Sequence, residues 1–115
     1  MKYHRKVGGY AVLNQVVLVG RIYSDIEFKK LPKNKSIAYI TLAVPRNYKD
    51  VNGEYQTDYI KVTAWDSVAE NTCEYVKIGD IVGVKGKLTC DNVEDNIQVT
   101  AEKVTFLSSQ KENES

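Results

Sequence analysis

The stretch from residue 57 to residue 65 alternates between two kinds of side chain at every second position. A period of two is typical of a half-buried β-strand, whose successive side chains point to opposite faces. One face carries apolar residues that a strand buries in a core, and the other carries two large aromatics and a cation. The apolar face is Ile60, Val62 and Ala64, and the opposite face is Tyr59, Lys61, Thr63 and Trp65.

The aromatic side of this strand is unusual for a surface that faces water. Two flat rings with a cation between them suit a single-stranded nucleic acid, because bases stack on rings and phosphates meet the cation. The rings of Tyr59 and Trp65 could equally cover a hydrophobic edge or a subunit contact, since strands favour aromatic residues in any setting. The pattern identifies a candidate binding face and leaves both interpretations open.

Four further strands and one helix are indicated along the chain. Residues 36–44 alternate like residues 57–65, and the Asn52–Gly53 pair between them is a strong hairpin signal. After Trp65 the apolar positions recur every three or four residues, which predicts a short helix that Asp66 would cap and Gly79 would end. The remaining predicted strands span residues 12–23, 81–88 and 97–107.

The order of these elements, three strands, one helix and two strands, predicts the fold class. We expect an all-β protein with an OB-fold, a five-stranded Greek-key barrel whose short helix lies between strands three and four. The outer face of strands two and three of such a barrel binds oligonucleotides or oligosaccharides. We place this domain at residues 12–108, preceded by a flexible basic arm at residues 1–11 and followed by a frayed polar C-terminus at residues 109–115.

The charge of the chain is nearly balanced, with 16 Lys and Arg against 15 Asp and Glu. A net charge of +1 gives no bulk attraction to a polyanion, so a basic binding surface has to be segregated from the acids. Residues 25–35 are predicted to form an irregular basic connection, whose lysines are either solvated or in contact with phosphates. The candidate phosphate contacts are Arg21, Lys29, Lys30, Lys33, Lys35, Arg46, Lys49 and Lys61.

Catalytic and metal-binding motifs are absent from the sequence. The sole histidine, His4, lies in the predicted arm, and no nucleophile elbow, zinc-protease helix, phosphate loop or dinucleotide-binding glycine motif occurs. Cys73 and Cys90 are far apart and show no metal-binding or redox spacing. We therefore expect no enzyme activity, no metal and no cofactor. The absence of an apolar run of transmembrane length predicts a cytoplasmic protein with no membrane partner.

Six short motifs follow one another along the chain in a specific order and spacing. They are LNQVVLVGR at residues 13–21, ITLAV at 40–44, DYIKV at 58–62 followed by Trp65, AEN at 69–71, VKIGD at 76–80 and VKGKL at 84–88. Each motif alone is weakly specific, but together they resemble the bacterial single-stranded DNA-binding protein family. The resemblance covers roughly residues 13–108, which is nearly the whole predicted domain.

This resemblance implies a function and a set of site residues. Members of the family are OB-fold proteins, usually homotetramers, that wrap single-stranded DNA without sequence preference and use no cofactor. Such binding protects or organises DNA strands in replication, recombination or repair. The stacking aromatics of the family fall on Tyr48, Tyr59 and Trp65, of which the last two also lie on the face that the strand alternation selects.

Three features depart from the family pattern. The last hairpin of the family often carries an aromatic, but the nearest position here is Val93 in a short acidic turn, so we do not expect this hairpin to grip DNA. The chain ends at Ser115 without a long tail and an acidic Pro-Phe-like tip, so we expect no recruitment of replication proteins through such a tail. The N-terminal arm is the third departure. The chain thus resembles a tailless paralogue or a member encoded by a phage or mobile element.

The first predicted strand indicates self-association. Residues 16–19 are apolar on both faces, and residues 12–19 contain no charge. An exposed edge strand is normally blunted by charge or covered, because its free N–H and C=O groups invite pairing. We therefore expect a homo-oligomer in which this strand pairs with its own copy across a two-fold axis, and the resemblance implies a tetramer.

Two other functions remain open on the sequence alone. The chain could be a primosome-type OB-fold accessory protein that acts mainly through protein contacts, with DNA binding in second place. It could also be an OB-fold enzyme or an RNA-binding OB module, such as one that binds tRNA. Binding to DNA only in the presence of a helicase or primase would favour the first of these, and a preference for RNA over DNA would favour the second.

Overall fold

The structure, a computed structural model, describes residues 12–90 and 96–109 of the chain. Residues 1–11, 91–95 and 110–115 lie outside it, and with them the predicted arm, Val93 and most of the predicted C-terminal segment. In chain order the described elements are β1 (Val16–Ile22), β2 (Glu27–Leu31), β3 (Lys35–Lys49), β4 (Tyr55–Trp65), α1 (Asp66–Tyr75), β5 (Ile81–Cys90) and β6 (Ile97–Ser108).

Five of these strands close into a barrel. Strand β1 pairs antiparallel with both β3 and β5, while β3 pairs with β4 and β5 with β6. A short parallel pairing of β4 with β6 completes the circle. The helix α1 follows the third barrel strand and precedes the fourth. This arrangement confirms the predicted all-β OB-fold with its helix between strands three and four.

Strand β2 was not predicted, and the expectation of an irregular connection over residues 25–35 was wrong. Strand β2 pairs antiparallel with the first part of β3, on the same edge of β3 that β1 occupies farther along. Phe28 packs against the core, while Lys33 and Asn34 take left-handed backbone angles of φ 63° and 59° in the turn that follows. The two half-buried apolar residues of β2, Phe28 and Leu31, are three positions apart, so the sequence shows no period of two here.

The core is built from one face of each barrel strand. Val62 and Ala64 are buried and Ile60 packs against them, as the alternation of this segment predicted. Gly20 lies where β1 crosses β3, and a Cβ atom there would come within 2.6 Å of the Ala43 carbonyl oxygen. Strand β1 can therefore approach β3 this closely only with glycine at the crossing. The largest fully buried side chains are Ile22, Leu42, Val62, Val82 and Val84.

The helix α1 buries Ala69 and Thr72 and leaves its other residues half-buried or exposed. The prediction that Asp66 caps it was wrong, because Trp65 occupies the cap position and no side chain caps the helix. Gly79 has the predicted left-handed conformation at φ 92°, but it lies in the turn before β5, after the helix has ended at Tyr75. Nowhere in residues 12–90 and 96–109 does a helix have the length and apolar character needed to cross a membrane.

Candidate nucleic-acid interface

The outward side chains of β3 and β4 form one continuous surface, which we call the aromatic face. The antiparallel register places Trp65 opposite Ile37, Tyr59 opposite Ala43, and Lys61 opposite Thr41. Tyr59 and Trp65 leave 56% and 42% of their surface exposed, although large aromatics are usually buried more deeply. We define the aromatic face as Tyr39, Thr41, Tyr59, Lys61, Thr63 and Trp65.

A groove of about 990 Å³ runs along the aromatic face. Tyr39, Tyr59 and Lys61 are among the residues that form its floor. One wall comes from β2 and the turn before it, and the other comes from β5 and β6. Trp65 lies beyond the groove lining, at the end of β4. The wall residues are Ser24, Asp25, Glu27 and Lys29 on one side, and Leu88, Asn96, Ile97 and Gln98 on the other.

The second wall is bonded to the Asn14 side chain, which occupies the place of a neighbouring strand beside Leu88. The Asn14 amide group donates to the Leu88 carbonyl oxygen, and its own oxygen accepts from the Leu88 backbone N–H, each over 2.9 Å. The last pair between β1 and β5 is Val16 with Gly86. The bonds between Asn14 and Leu88 lie two residues beyond this pair and so continue the ladder. On the floor side, the Thr63 hydroxyl donates to the Gln98 side-chain oxygen over 3.0 Å. The first contact ties the wall to the segment before β1, and the second ties it to the aromatic face.

Two exposed tyrosines enlarge the aromatic surface and were not predicted as site residues. The Tyr23 and Tyr59 ring centroids are 4.6 Å apart with the rings tilted by 57°, a favourable aromatic geometry. The Lys29 ammonium lies 5.7 Å from the centre of the Tyr39 ring. The alternation of residues 36–44 already placed Tyr39 outward, so that pattern could have identified it. Tyr23 follows β1 directly, and its backbone N–H donates to the Thr41 carbonyl oxygen of β3 over 2.9 Å, a long-range contact that the sequence does not show.

The tip of the β3–β4 hairpin carries two further exposed tyrosines. Tyr48, a predicted stacking residue, and Tyr55 both face solvent there. The Lys49 ammonium lies 5.6 Å from the centre of the Tyr55 ring. The pairing of β3 and β4 is irregular between Pro45 and Lys49, so the tip does not continue the pleat of the aromatic face. Tyr48 is therefore placed apart from Tyr59 and Trp65.

The turn of this hairpin is closed by a carboxylate. Asp50 Oδ1 accepts hydrogen bonds from the backbone N–H groups of Asn52 (2.9 Å) and Glu54 (3.0 Å). The bond from Glu54 is the largest cause that lowers the pKa of Asp50 below its usual value. The predicted turn at Asn52–Gly53 is confirmed, with Gly53 in the left-handed region at φ 80°.

The eight predicted cations do not form one patch. Lys29 and Lys61 line the groove, so both can reach a strand that lies on the aromatic face. Lys30 follows Lys29 in β2 and points to the opposite side, because successive strand residues alternate. Lys33 lies in the β2–β3 turn, and Lys49 lies at the hairpin tip.

Four of the predicted cations already have a hydrogen-bond or ion-pair partner. Arg46 makes the best of these pairs, since its Nη2 lies 2.9 Å from Asp58 Oδ1 and its Nε lies 3.1 Å from Oδ2. This hydrogen bonding holds the pKa of Asp58 below its usual value and raises that of Arg46. All of these pairs are at least partly exposed, so a phosphate can compete for each cation. The other three are Lys29 with Glu27 at 3.5 Å, Lys35 with Asp66 at 3.5 Å, and Arg21 with the Gly79 carbonyl oxygen at 2.7 Å.

The titratable side chains offer no metal centre in the part of the chain that the structure describes. No group of three or more His, Cys, Asp or Glu residues there could hold an ion. Cys73 is half-buried, and burial raises the pKa of its thiol, while Cys90 is exposed at the end of β5. The two thiols are free.

Comparison with known proteins identifies the family. The model of the single-strand binding protein family matches residues 13–111. The chain belongs to this family. Single-stranded DNA-binding protein B of Bacillus subtilis is 37% identical over 103 residues, covering 84% of this chain and 91% of the relative. The single-stranded DNA-binding protein of Streptococcus mutans is 40% identical over 84 residues, covering 73% of this chain and 51% of the relative.

A solved structure with the same fold comes from Thermus aquaticus. Its wild-type single-stranded DNA binding protein superposes with a TM-score of 0.72 at 24% identity, covering 86% of this chain and 52% of that one. The likeness shows the OB-fold. The present chain thus spans about half the length of this protein and of the Streptococcus mutans relative.

Membership of the single-strand binding protein family confirms the resemblance that the six motifs indicated. It also confirms that the chain is not an enzyme, because this is a family of binding proteins. The individual stacking and phosphate-contacting residues stay predictions.

Proposed function

We propose that this protein binds single-stranded DNA without sequence preference, by stacking bases on the aromatic face and pairing phosphates with the cations around it. The observation that carries the proposal is the set of exposed rings on the aromatic face, two of which, Tyr39 and Tyr59, line an open groove, in a member of the single-strand binding protein family. Every base has a flat π surface, so stacking tolerates any sequence and contributes about 1–3 kcal/mol per base.

The residues divide by how directly they can take part. Tyr59 and Trp65 stack bases on the aromatic face, while Tyr48 extends the path toward the hairpin tip. Lys29 and Lys61 meet phosphates at the groove, and Arg46 and Lys35 do so after exchanging their carboxylate partners. Arg21, Lys30, Lys33 and Lys49 do not line the groove and contribute a general positive potential. Tyr23 and Tyr39 add two ring surfaces to the set that the sequence predicted.

A comparison of nucleic acids tests this function. We expect a labelled oligo-dT to bind tighter than an RNA of the same length and a duplex of the same length, with no helicase or primase present. Tighter binding of the RNA would instead support an RNA-binding OB module. Binding that requires a helicase or primase would support the primosome-type accessory role.

Salt should weaken the binding, because each phosphate contact releases counterions. We expect log affinity for oligo-dT to fall with log salt by about 0.7 for every phosphate neutralised. Lys61→Ala should make the slope shallower by about one such step, because Lys61 lies on the aromatic face. Lys77→Ala is the matched control, since Lys77 is exposed in the turn after α1. A salt slope near zero in the parent protein would mean that these lysines are solvated and contact no phosphate.

Asp58 should act as a competitor of the DNA backbone for Arg46. The change Asp58→Asn removes the charge that holds the guanidinium, so we expect oligo-dT affinity at low salt to rise about two- to fivefold, with a steeper salt slope. Stability should change little, since exposed ion pairs contribute about 0–1 kcal/mol. Glu74→Gln on the exposed side of α1 changes the net charge equally and is the control. Equal affinities for both variants would exclude a phosphate contact by Arg46.

The open edge of β1 supports a homo-oligomer. Strand β1 pairs with β5 from Val16 to Arg21 but with β3 only at Arg21 and Ile22. Within the described chain, no strand covers the other edge of residues 16–20. Val17 and Val19 point outward beside it with 71% and 55% of their surface exposed. Pairing of this edge with its own copy, doubled into a tetramer, would link four sites and raise the avidity for a long strand.

Several features of the wider role belong to the same proposal. We assign residues 12–108 to the DNA-binding domain and place the protein in the cytoplasm, where it protects or organises single strands in replication, recombination or repair. The sites described above require no cofactor for this role.

A further inference from the structure

The junction between β4 and α1 turns the chain within a single residue. Trp65 ends β4 with extended angles of φ −120° and ψ 146°, and it still pairs with Ile37 of β3. The next residue, Asp66, has φ 52°, in the left-handed region that few non-glycine residues adopt. The helix begins at this same residue. The Trp65 side chain consequently stays on the aromatic face while the backbone leaves it.

Asp66 is held by β3 and not by its own helix. Its Oδ1 accepts the backbone N–H of Ser36 over 3.1 Å, and its Oδ2 lies 3.5 Å from the Lys35 ammonium. Ser36 is fully buried, so its N–H needs a partner within the protein, and the half-exposed Asp66 carboxylate supplies it. No side chain caps α1, which excludes the usual reason for an aspartate at a helix start.

A second contact closes the same junction. The Ser36 hydroxyl lies 3.2 Å from Glu70 Oε2 and 3.5 Å from the Asp66 carbonyl oxygen. It has one proton to donate, and the shorter contact, to Glu70, is the better hydrogen bond. Ser36 therefore connects the first and second turns of α1 to β3. The bond of Ser36 to Asp66 and its bond to Glu70, one turn later, together fix the start of α1 against β3.

We infer that Asp66 is a positioning residue for Trp65, fixing the angle at which the indole ring stands on the aromatic face. Trp65 has a strand neighbour on β3 only at Ile37, and the residue after it has left the sheet. Its orientation hence depends on the backbone of Asp66, which the carboxylate bond to Ser36 fixes. The same carboxylate keeps the Lys35 ammonium beside this end of the face. The consequence for DNA rests on the proposed function, but the effect on the free protein does not.

Two substitutions at Asp66 test the effect of its carboxylate separately from the effect of its backbone angle. Glycine adopts φ 52° without strain, so Asp66→Gly preserves the turn and removes the bond to Ser36. Asparagine also tolerates this region, and its amide oxygen can still accept the Ser36 N–H. Ser67→Gly is the matched control, because it places glycine at the neighbouring exposed helix position and leaves the junction contacts in place.

Trp65 is the single tryptophan of the chain, so its fluorescence reports the junction without DNA. For Asp66→Gly we expect lower steady-state anisotropy, stronger acrylamide quenching, and oligo-dT affinity reduced about five- to tenfold. Asp66→Asn and Ser67→Gly should both match the fluorescence of the parent. The affinity of Ser67→Gly should stay within about twofold of the parent. The affinity of Asp66→Asn should be equal to that of the parent or higher, because the amide no longer competes with phosphate for Lys35.

Two results would overturn the inference. One is a folded Asp66→Gly protein whose Trp65 anisotropy and quenching equal those of the parent. The other is an Asp66→Asn protein as altered as Asp66→Gly, since the Ser36 bond would then not be the determinant. If the free-protein signals change as expected while the parent binds no oligo-dT, the positioning role stands and the proposed function fails.

Discussion

Replacing Trp65 by alanine should lower the affinity for oligo-dT by about 5- to 150-fold, the equivalent of the 1–3 kcal/mol that one stacked base contributes. The ring is exposed on the aromatic face and is the largest π surface there. Because 42% of the surface of Trp65 is exposed to solvent, its removal should lower the stability of the fold less than the removal of a buried tryptophan would. The anisotropy of a labelled oligo-dT is the suitable measurement, since the variant has no tryptophan signal.

Two control variants define what this loss means. Trp65→Phe keeps a ring for stacking and should retain most of the affinity. Tyr75→Ala removes another exposed aromatic, at the far end of α1 and away from the aromatic face, and should change nothing. Parent-like binding by a folded Trp65→Ala protein would remove Trp65 from the stacking residues.

Introducing a charge at the open edge of β1 should break the assembly. We expect light scattering of the parent at micromolar concentration to give about four times the chain mass of 13.0 kDa, and Val19→Glu to give a smaller species. Val19 is outward-facing, so glutamate there is solvated in the free subunit. In a pair of β1 strands it would place two like charges near the two-fold axis, without partners.

The matched control for this change is Val51→Glu. Val51 is a fully exposed valine in the β3–β4 turn, far from β1, so the same substitution there should leave the mass unchanged. A monomeric parent would reject self-association. A stable dimeric parent would keep the strand pairing and reject only the doubling into a tetramer.

The fold was largely predictable because its barrel strands are half-buried. The alternation over residues 57–65 identified both the buried and the outward side of β4, and the change of period after Trp65 located α1. Strand β2 was missed because it forms through hairpin pairing with β3, while its own two apolar residues, Phe28 and Leu31, are three positions apart and show no strand period. Asp66 was misassigned for a similar reason, since an acid at a helix start looks like a cap until Ser36 is placed beside it.

The candidate site was less predictable than the fold. Sequence alternation found Tyr59, Lys61 and Trp65, which share one strand. It could not find the contact of Tyr23 with Tyr59, because β3 lies between the two segments that carry these tyrosines. Nor could it show that carboxylates such as Asp58 already pair with cations that were predicted to contact phosphate. Pairings of this kind depend on which residues of different strands the register brings together, and the alternation within one strand does not show its neighbours.

The most direct test of the account is a titration of the parent protein with oligo-dT, followed by the intrinsic fluorescence of Trp65 at two salt concentrations. Stacking of a base on the single tryptophan predicts quenching that saturates, with a midpoint that moves to higher DNA concentration at the higher salt. A duplex of the same length should quench much less. Fluorescence that does not change with oligo-dT at low salt would contradict the central claim that the aromatic face binds single-stranded DNA.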